Sequence, residues 1–248
     1  MRIIYPQNAV LYSSSSELSS APAANVTEEH SNNPWYADTS DSSPSITVEV
    51  SGGTAVLVYK IFAESVVVTA KTMADATIKQ ETHNLMATTE YGVERHIDHV
   101  WMEYESATAH KITVALTKGA SFAYAGIGII FAGDLRGQFT DPKYGAISMD
   151  AEDHSEIIEL SGGVEHPLID NIQRICPASL DVTTDAEFNA LIRLGRLLGR
   201  SRPFACKMAE TYDYDEEMLI YARSEPPITG QPTKYRQNKI TYTLREFL

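Results

Sequence analysis

Apolar and polar residues alternate most cleanly in Ser45-Ile46-Thr47-Val48-Glu49-Val50, a pattern that puts Ile46, Val48 and Val50 on one face of a strand. Gly52-Gly53 turns the chain into an apolar run at 54–62, and Glu64-Ser65 separates it from a second run at 65–72; both are rich in β-branched residues. Three antiparallel strands in a meander are expected. Lys111–Thr117 alternates again, Lys118-Gly119 turns, and 122–131 is a run of small apolar residues expected to be buried on both faces as the second strand of a hairpin. Short strands are expected at 147–149, 156–161, 171–176, 204–208, 217–222 and 239–247, with Pro226-Pro227 and Gly230-Gln231-Pro232 in the connections.

One helix breaks the β pattern. Thr184-Asp185-Ala186-Glu187 has the form of a capping box, and Phe188, Leu191, Ile192, Leu194, Leu197 and Leu198 recur at helical spacing. The spacing predicts a helix over 184–200, ended by Gly199-Arg200-Ser201 ahead of Pro203, with Arg193, Arg196 and Arg200 set against the negative end of its dipole.

Two stretches resist such a reading. Residues 12–45 are Ser-rich and carry Pro22, Pro34 and Pro44, a composition of turns and irregular backbone, while Trp35 and Tyr36 are bulky enough to dock that loop onto a core. Residues 73–110 contain Tyr91, Trp101 and Tyr104 among scattered Glu, His and Thr, with no clean period. The fold class is therefore mainly β, antiparallel β-sandwich or jelly-roll, with one amphipathic α-helix near 184–200. The expected organisation is an extended N-terminal arm at 1–44, a β-sandwich at 45–118 and a second β-domain at 119–248 carrying the helix. One elaborated sandwich is the alternative.

Composition narrows the function classes. The 248 residues are 43% hydrophobic and 21% charged, an ordinary globular balance. A formal charge of -13 repels phosphate backbones and anionic lipid, so no nucleic-acid partner is expected. No 18-residue apolar run exists and the N-terminal segment is too polar for a signal peptide, so neither membrane insertion nor export is expected. Cys176 and Cys206 fit neither a close-spaced metal motif nor a secreted disulfide framework, and read as two buried thiols.

Candidate chemistry is sparse. Gly126-Ile127-Gly128-Ile129-Ile130-Phe131-Ala132-Gly133 has the glycines of a dinucleotide loop, yet they fall inside a strand with no helix N-terminus after them to meet a pyrophosphate. Small residues there instead let another chain segment approach closely. His96 and His99, with Glu94, Asp98 or Glu103, could offer metal ligands, but no third ligand is set by spacing, and hydrogen-bonded histidines are expected. Asp150-Ala151-Glu152-Asp153-His154 and Asp213-Tyr214-Asp215-Glu216-Glu217 lack the spacing of a calcium loop, and solvated acidic turns are expected. Neither cysteine sits in a nucleophile signature and no Gly-x-Ser-x-Gly elbow occurs. Catalytic, cofactor-binding and metal-binding residues are all expected to be none, and the chain is expected not to be an enzyme.

The order of several segments resembles a known class. Ala23-Ala24-Asn25-Val26, Pro34-Trp35, Ser45–Val50, the run from Gly126 to Asp134, Glu159-Leu160-Ser161-Gly162-Gly163, the late helix, Arg202-Pro203-Phe204 and Leu244-Arg245-Glu246-Phe247 together resemble virion structural proteins of tailed bacteriophages. In particular they resemble tail or tail-tip (baseplate) components built on jelly-roll, galactose-binding-like sandwiches. The resemblance implies a virion subunit assembled in the host cytoplasm as a homo-oligomer or ring, with itself and other virion proteins as partners. It implies that deleting residues 1–44 impairs assembly.

Two other readings fit the same residues. A carbohydrate-binding module would use Trp35, Tyr36, Trp101 and Tyr104 to stack on host-surface glycan, although core packing explains these residues equally well. A polysaccharide hydrolase is the third, and the absence of repetitive β-helical stretches speaks against it.

Overall fold

The computed structural model describes residues 1–88, 94–104, 109–139, 146–148, 150–153, 156–160, 164–168, 172–182, 184–208, 219–225, 228–234 and 237–247. Among these the strands up to residue 138 are β1 (Arg2–Gln7), β2 (Ala9–Ser14), β3 (Trp35–Tyr36), β4 (Ser45–Val50), β5 (Ala55–Phe62), β6 (Ser65–Lys71), β7 (Thr77–Asn84), β8 (Met86–Thr88), β9 (Glu94–His96), β10 (His99–Glu103), β11 (Lys111–Thr117) and β12 (Gly126–Gln138). Then come β13 (Asp150–Asp153), β14 (Glu156–Leu160), β15 (Val164–Leu168), β16 (Ile172–Val182), the helix α1 (Asp185–Leu198), β17 (Phe204–Lys207), β18 (Leu219–Ser224), β19 (Thr229–Lys234) and β20 (Gln237–Glu246). The chain forms two compact units: a larger one of Arg2–Gln138 with Phe204–Tyr221, and a smaller one of Met1, Phe139–Pro203 and Ala222–Leu248.

The larger unit is an antiparallel β-sandwich. One sheet has the order β2-β4-β11-β6-β7, and the other runs β10-β5-β12-β1-β17. Alternation explains the core between them: Ile46, Val48 and Val50 of β4, Val66 and Val68 of β6 and Ile112 and Val114 of β11 meet Val56 and Val58 of β5, Val100 and Met102 of β10 and Ile130 of β12. Each such side chain contributes roughly 1.5–3 kcal/mol of burial.

The expected meander does not form. β4 pairs with β2 and β11, β6 pairs with β11 and β7, and β5 lies in the opposite sheet between β10 and β12. The expected hairpin of 111–117 with 122–131 is likewise absent, because β11 and β12 belong to different sheets and the second strand starts at Gly126. From β4 to β6 and from β10 to β12 the chain crosses between sheets at every step, the jelly-roll way of covering two apolar faces with one another. The sequence boundary at 118/119 therefore falls inside this unit.

The N-terminal segment is also corrected. Residues 1–44 are not an appended arm: β1 sits between β12 and β17, β2 is the outer strand of the other sheet, and Asn8 alone separates them. Ile3 and Ile4 are fully buried. The Ser-rich loop that follows is pinned as its composition suggests, by Trp35, which is fully buried and donates its indole N–H to Ser16 O at 3.0 Å. Asp41 adds hydrogen bonds from the hydroxyls of Ser15 and Ser16 at 3.0 and 2.8 Å.

β5 and β12 are buried on both faces over residues 55–59 and 126–133. Their second face carries Leu57, Tyr59, Ile129 and Phe131, and Tyr221 closes over it with ring centroids 6.3 Å from Tyr59 and 5.4 Å from Phe131. The Tyr221 hydroxyl donates to Glu29 O at 2.8 Å, so its burial leaves no unmet donor.

In the smaller unit β13, β16 and β20 pair in that order, and the far edge of β20 takes β19 along one half and Ala222–Ser224 along the other. β14 and β15 form a separate hairpin. The segment at 150–153, expected as an acidic turn, is instead the strand β13, and Glu152 accepts from Arg245 at 2.7 Å. The helix forms as its cap predicts: Thr184 Oγ1 accepts from Glu187 N at 3.2 Å and Gly199 ends it at φ 60°. Leu191, Leu194 and Leu198 face the sheet, and Gly195 lets Ile228 approach so closely that an added Cβ would lie 2.7 Å from its Cβ. Thr184→Ala is expected to cost about 1 kcal/mol of stability, seen as a lower urea midpoint with unchanged slope. An unchanged midpoint would show that the cap contributes nothing.

Candidate functional site

The stretch with no readable period, 73–110, builds the site. β7 and β10 are the outer strands of the two sheets of the sandwich, and in β10 Val100 and Met102 point into the core while His99, Trp101 and Glu103 point the other way. Trp101 is half-buried. Its indole N–H donates to Glu103 Oε1 at 2.8 Å, and the second oxygen of that carboxylate is ion-paired with Arg2. Lys79 of β7 reaches across to donate to Glu103 O at 2.7 Å and pairs with Glu81 at 2.7 Å. The ring is thus held in one orientation by a fixed carboxylate.

Two clefts adjoin at Trp101. The first, about 190 Å³, is lined by His83, Asn84 and the buried His99 together with Leu85, Val100 and Leu219. The second, about 490 Å³, presents Arg2, Lys79 and Glu103. Trp101 and Lys207 line both, so the two clefts flank the same indole and together form the candidate groove. All of these residues belong to the larger unit. An aromatic wall flanked by amide, imidazole, ammonium, guanidinium and carboxylate groups suits a ligand with an apolar face and hydroxyls at its rim. Glu103 is placed to orient rather than to transfer a proton, because both its oxygens are already engaged.

The four aromatics considered for stacking separate clearly. Trp35 and Tyr104 are core residues, 0% and 4% exposed, and are withdrawn as stacking candidates. Burial also pushes the Tyr104 hydroxyl well above the usual tyrosine range. Tyr36 joins a loop-end cluster with Phe62 and Tyr124, centroids 5.5 and 5.6 Å away. Trp101 and Tyr104 both line the groove, but of the two only Trp101 is half-exposed there with polar groups around it.

The other candidates disperse. His96 Nε2 lies 3.1 Å from Ala63 O, whereas His99 Nδ1 lies 2.8 Å from Asp98 Oδ1 and its ring packs near Tyr59. Among the described residues no group of three or more His, Cys, Asp or Glu is placed to hold a metal ion. Residues 213–217 and His154 lie outside the described residues. The glycine run is in mid-strand, where Gly128 faces Ser31 O and Gly126 faces Trp35 O. Both cysteines are buried free thiols, and burial pushes that of Cys176 up to about 11. No helix among the described residues is long and apolar enough to cross a membrane.

Arg2, Lys79, His83, Asn84 and Lys207 went unnoticed in the sequence. The signal that could have found β10 is the alternation of His99-Val100-Trp101-Met102-Glu103.

No protein-family model and no curated protein matches the chain. Among solved structures it is similar to a module, CBM32-3, from a family 31 glycoside hydrolase of Clostridium perfringens, at 14% identity and TM-score 0.41 over 51% of this chain and 91% of that one. It is similar to a Streptococcus pneumoniae fucose-binding module, SpX-3, at 8% identity and TM-score 0.39 over 52% and 97%. A third similarity, to reduced XRCC1 bound to the DNA polymerase beta catalytic domain, has 14% identity and TM-score 0.40 over 53% and 98%. Likenesses this distant carry no argument about ligand or role.

Proposed function

We propose that this protein is a non-catalytic glycan-binding β-sandwich that holds sugar in the groove along β10. The observation that carries the reading is Trp101: a half-buried indole, fixed by Glu103, forming the shared wall of two polar clefts. A pyranose ring offers a C–H face to such an indole and hydroxyls to the side chains around it. The pairing of an apolar wall with hydrogen-bonding groups of both signs matches that chemistry.

Binding to an array of bacterial surface glycans, followed by fluorescence titration, tests the reading. Trp35 is fully buried, so a sugar-dependent change in emission reports Trp101. Trp101→Ala is expected to weaken binding at least about tenfold, ~1.4 kcal/mol, with its thermal transition retained. Silence of the wild type across the array, or undiminished binding by the variant, removes the reading.

A second reading keeps the chain as a structural subunit of a tailed-phage particle. It is favoured by Val10 and Tyr12, 65% and 56% exposed on the outer strand β2, where apolar side chains invite association. Light scattering decides it: a monomer at every concentration sampled counts against assembly.

A further inference from the structure

We infer that the groove binds an internal stretch of a linear glycan, two or more sugar units along its length, rather than one terminal sugar. This rests on the glycan-binding reading above. A site for a chain end needs a blind wall that stops the next unit. Here a cleft lies on each side of Trp101: toward His83 and Asn84 in one direction and toward Arg2, Lys79 and Glu103 in the other. Trp101 and Lys207 line both halves, so a chain reaching from one cleft to the other passes over an aromatic surface and a cation.

The length agrees. His99 and Glu103 are four residues apart on one strand, roughly 13 Å, which exceeds a single pyranose ring. The second cleft, about 490 Å³, lies in the range of sites that hold a small ligand, and the first, about 190 Å³, adds room for part of a neighbouring unit. The halves also differ in chemistry, imidazole and amide against fully charged groups, so successive units meet different hydrogen-bonding partners. That difference gives the groove a direction, and a bound chain runs one way along β10.

Calorimetry with chito-, malto- and β-1,4-galacto-oligosaccharides of one to six units tests this. For the ladder that binds, affinity should rise at least about tenfold from one unit to three and then level off. Capping the non-reducing terminal hydroxyl of the longer members should leave affinity unchanged. His83→Ala and Lys79→Ala, both on partly exposed side chains, should each weaken the trisaccharide, while at most one of them changes monosaccharide binding. A flat ladder, or loss of binding on capping, overturns the linear-chain inference and leaves glycan binding standing. If no sugar of any length binds the wild type, the glycan reading falls and this inference with it.

Discussion

A chain lacking residues 1–14 is expected to show no cooperative unfolding transition. β1 is an interior strand: Ile4 is in register with Leu135 of β12 on one side and Ala205 of β17 on the other. Its loss opens the sheet between those strands and exposes their paired backbone. Ile3 and Ile4 are fully buried and together account for roughly 3–6 kcal/mol of burial. The lost ladder adds about 0.5–1.5 kcal/mol per hydrogen bond. β2 goes too, uncovering the edge of β4. The sum is comparable with the whole stability of a domain, about 5–15 kcal/mol. Circular dichroism on heating, with size-exclusion chromatography, checks this; a sharp transition within a few degrees of the full chain would refute it. Impaired assembly after removing 1–44, as expected of a separate arm, would thus follow from lost folding and would not report an assembly contact.

Gly133→Ala should be the most damaging single methyl added to the sandwich. Gly133 is paired with Gln7 of β1 and Ala55 of β5, and a Cβ there would overlap the carbonyl oxygen of Pro6 and lie 3.3 Å from Ile4 Cγ2. Backbone on both sides is fixed by pairing, and Gly133 O accepts from Thr54 N at 2.9 Å, so neither strand can move aside without breaking its ladder. Overpacking of this kind costs about 3 kcal/mol, the upper end of its usual range, because fixed backbone cannot yield. Gly52→Ala is the comparison: its φ of 87° disfavours a side chain, but nothing lies within 4 Å, so only backbone strain of about 1–2 kcal/mol is expected. Urea unfolding of the two variants side by side measures the difference. Equal losses would mean that the close approach of β1 and β12 is not what requires glycine at 133.

Strand identity was legible where one face is apolar and the other is not. Ser45–Val50 and Lys111–Thr117 declare themselves because each lies on a half-buried sheet, and the helix does so through its cap and periodicity. β7 stayed hidden for a physical reason: on the outer edge of its sheet it has no fully buried position, so Thr77–Asn84 shows no contrast to read. Pairing was harder. β4 finds one partner more than thirty residues earlier and another more than sixty later, and neither leaves a trace in the local pattern. A meander was the economical expectation only because it pairs neighbours in sequence.

The site divides in the same way. Trp35 and Trp101 are alike in the sequence, each a lone indole in a polar neighbourhood. One is the largest fully buried side chain among the described residues and the other a groove wall. Glu103 is unremarkable until Arg2, about a hundred residues away, is seen on its carboxylate.

The sequence by itself determined that this protein is an antiparallel β fold with one capped helix. It also determined that the glycines of 126–133 lie within a strand, since alternation, capping and strand continuity are local and need only near neighbours. Only the tertiary structure decided which strands pair, that β1 is an interior strand of its sheet, and which tryptophan lines the groove. Those outcomes depend on contacts between residues far apart in the chain, where the entropy of closing long loops is overcome by burial that no local window contains.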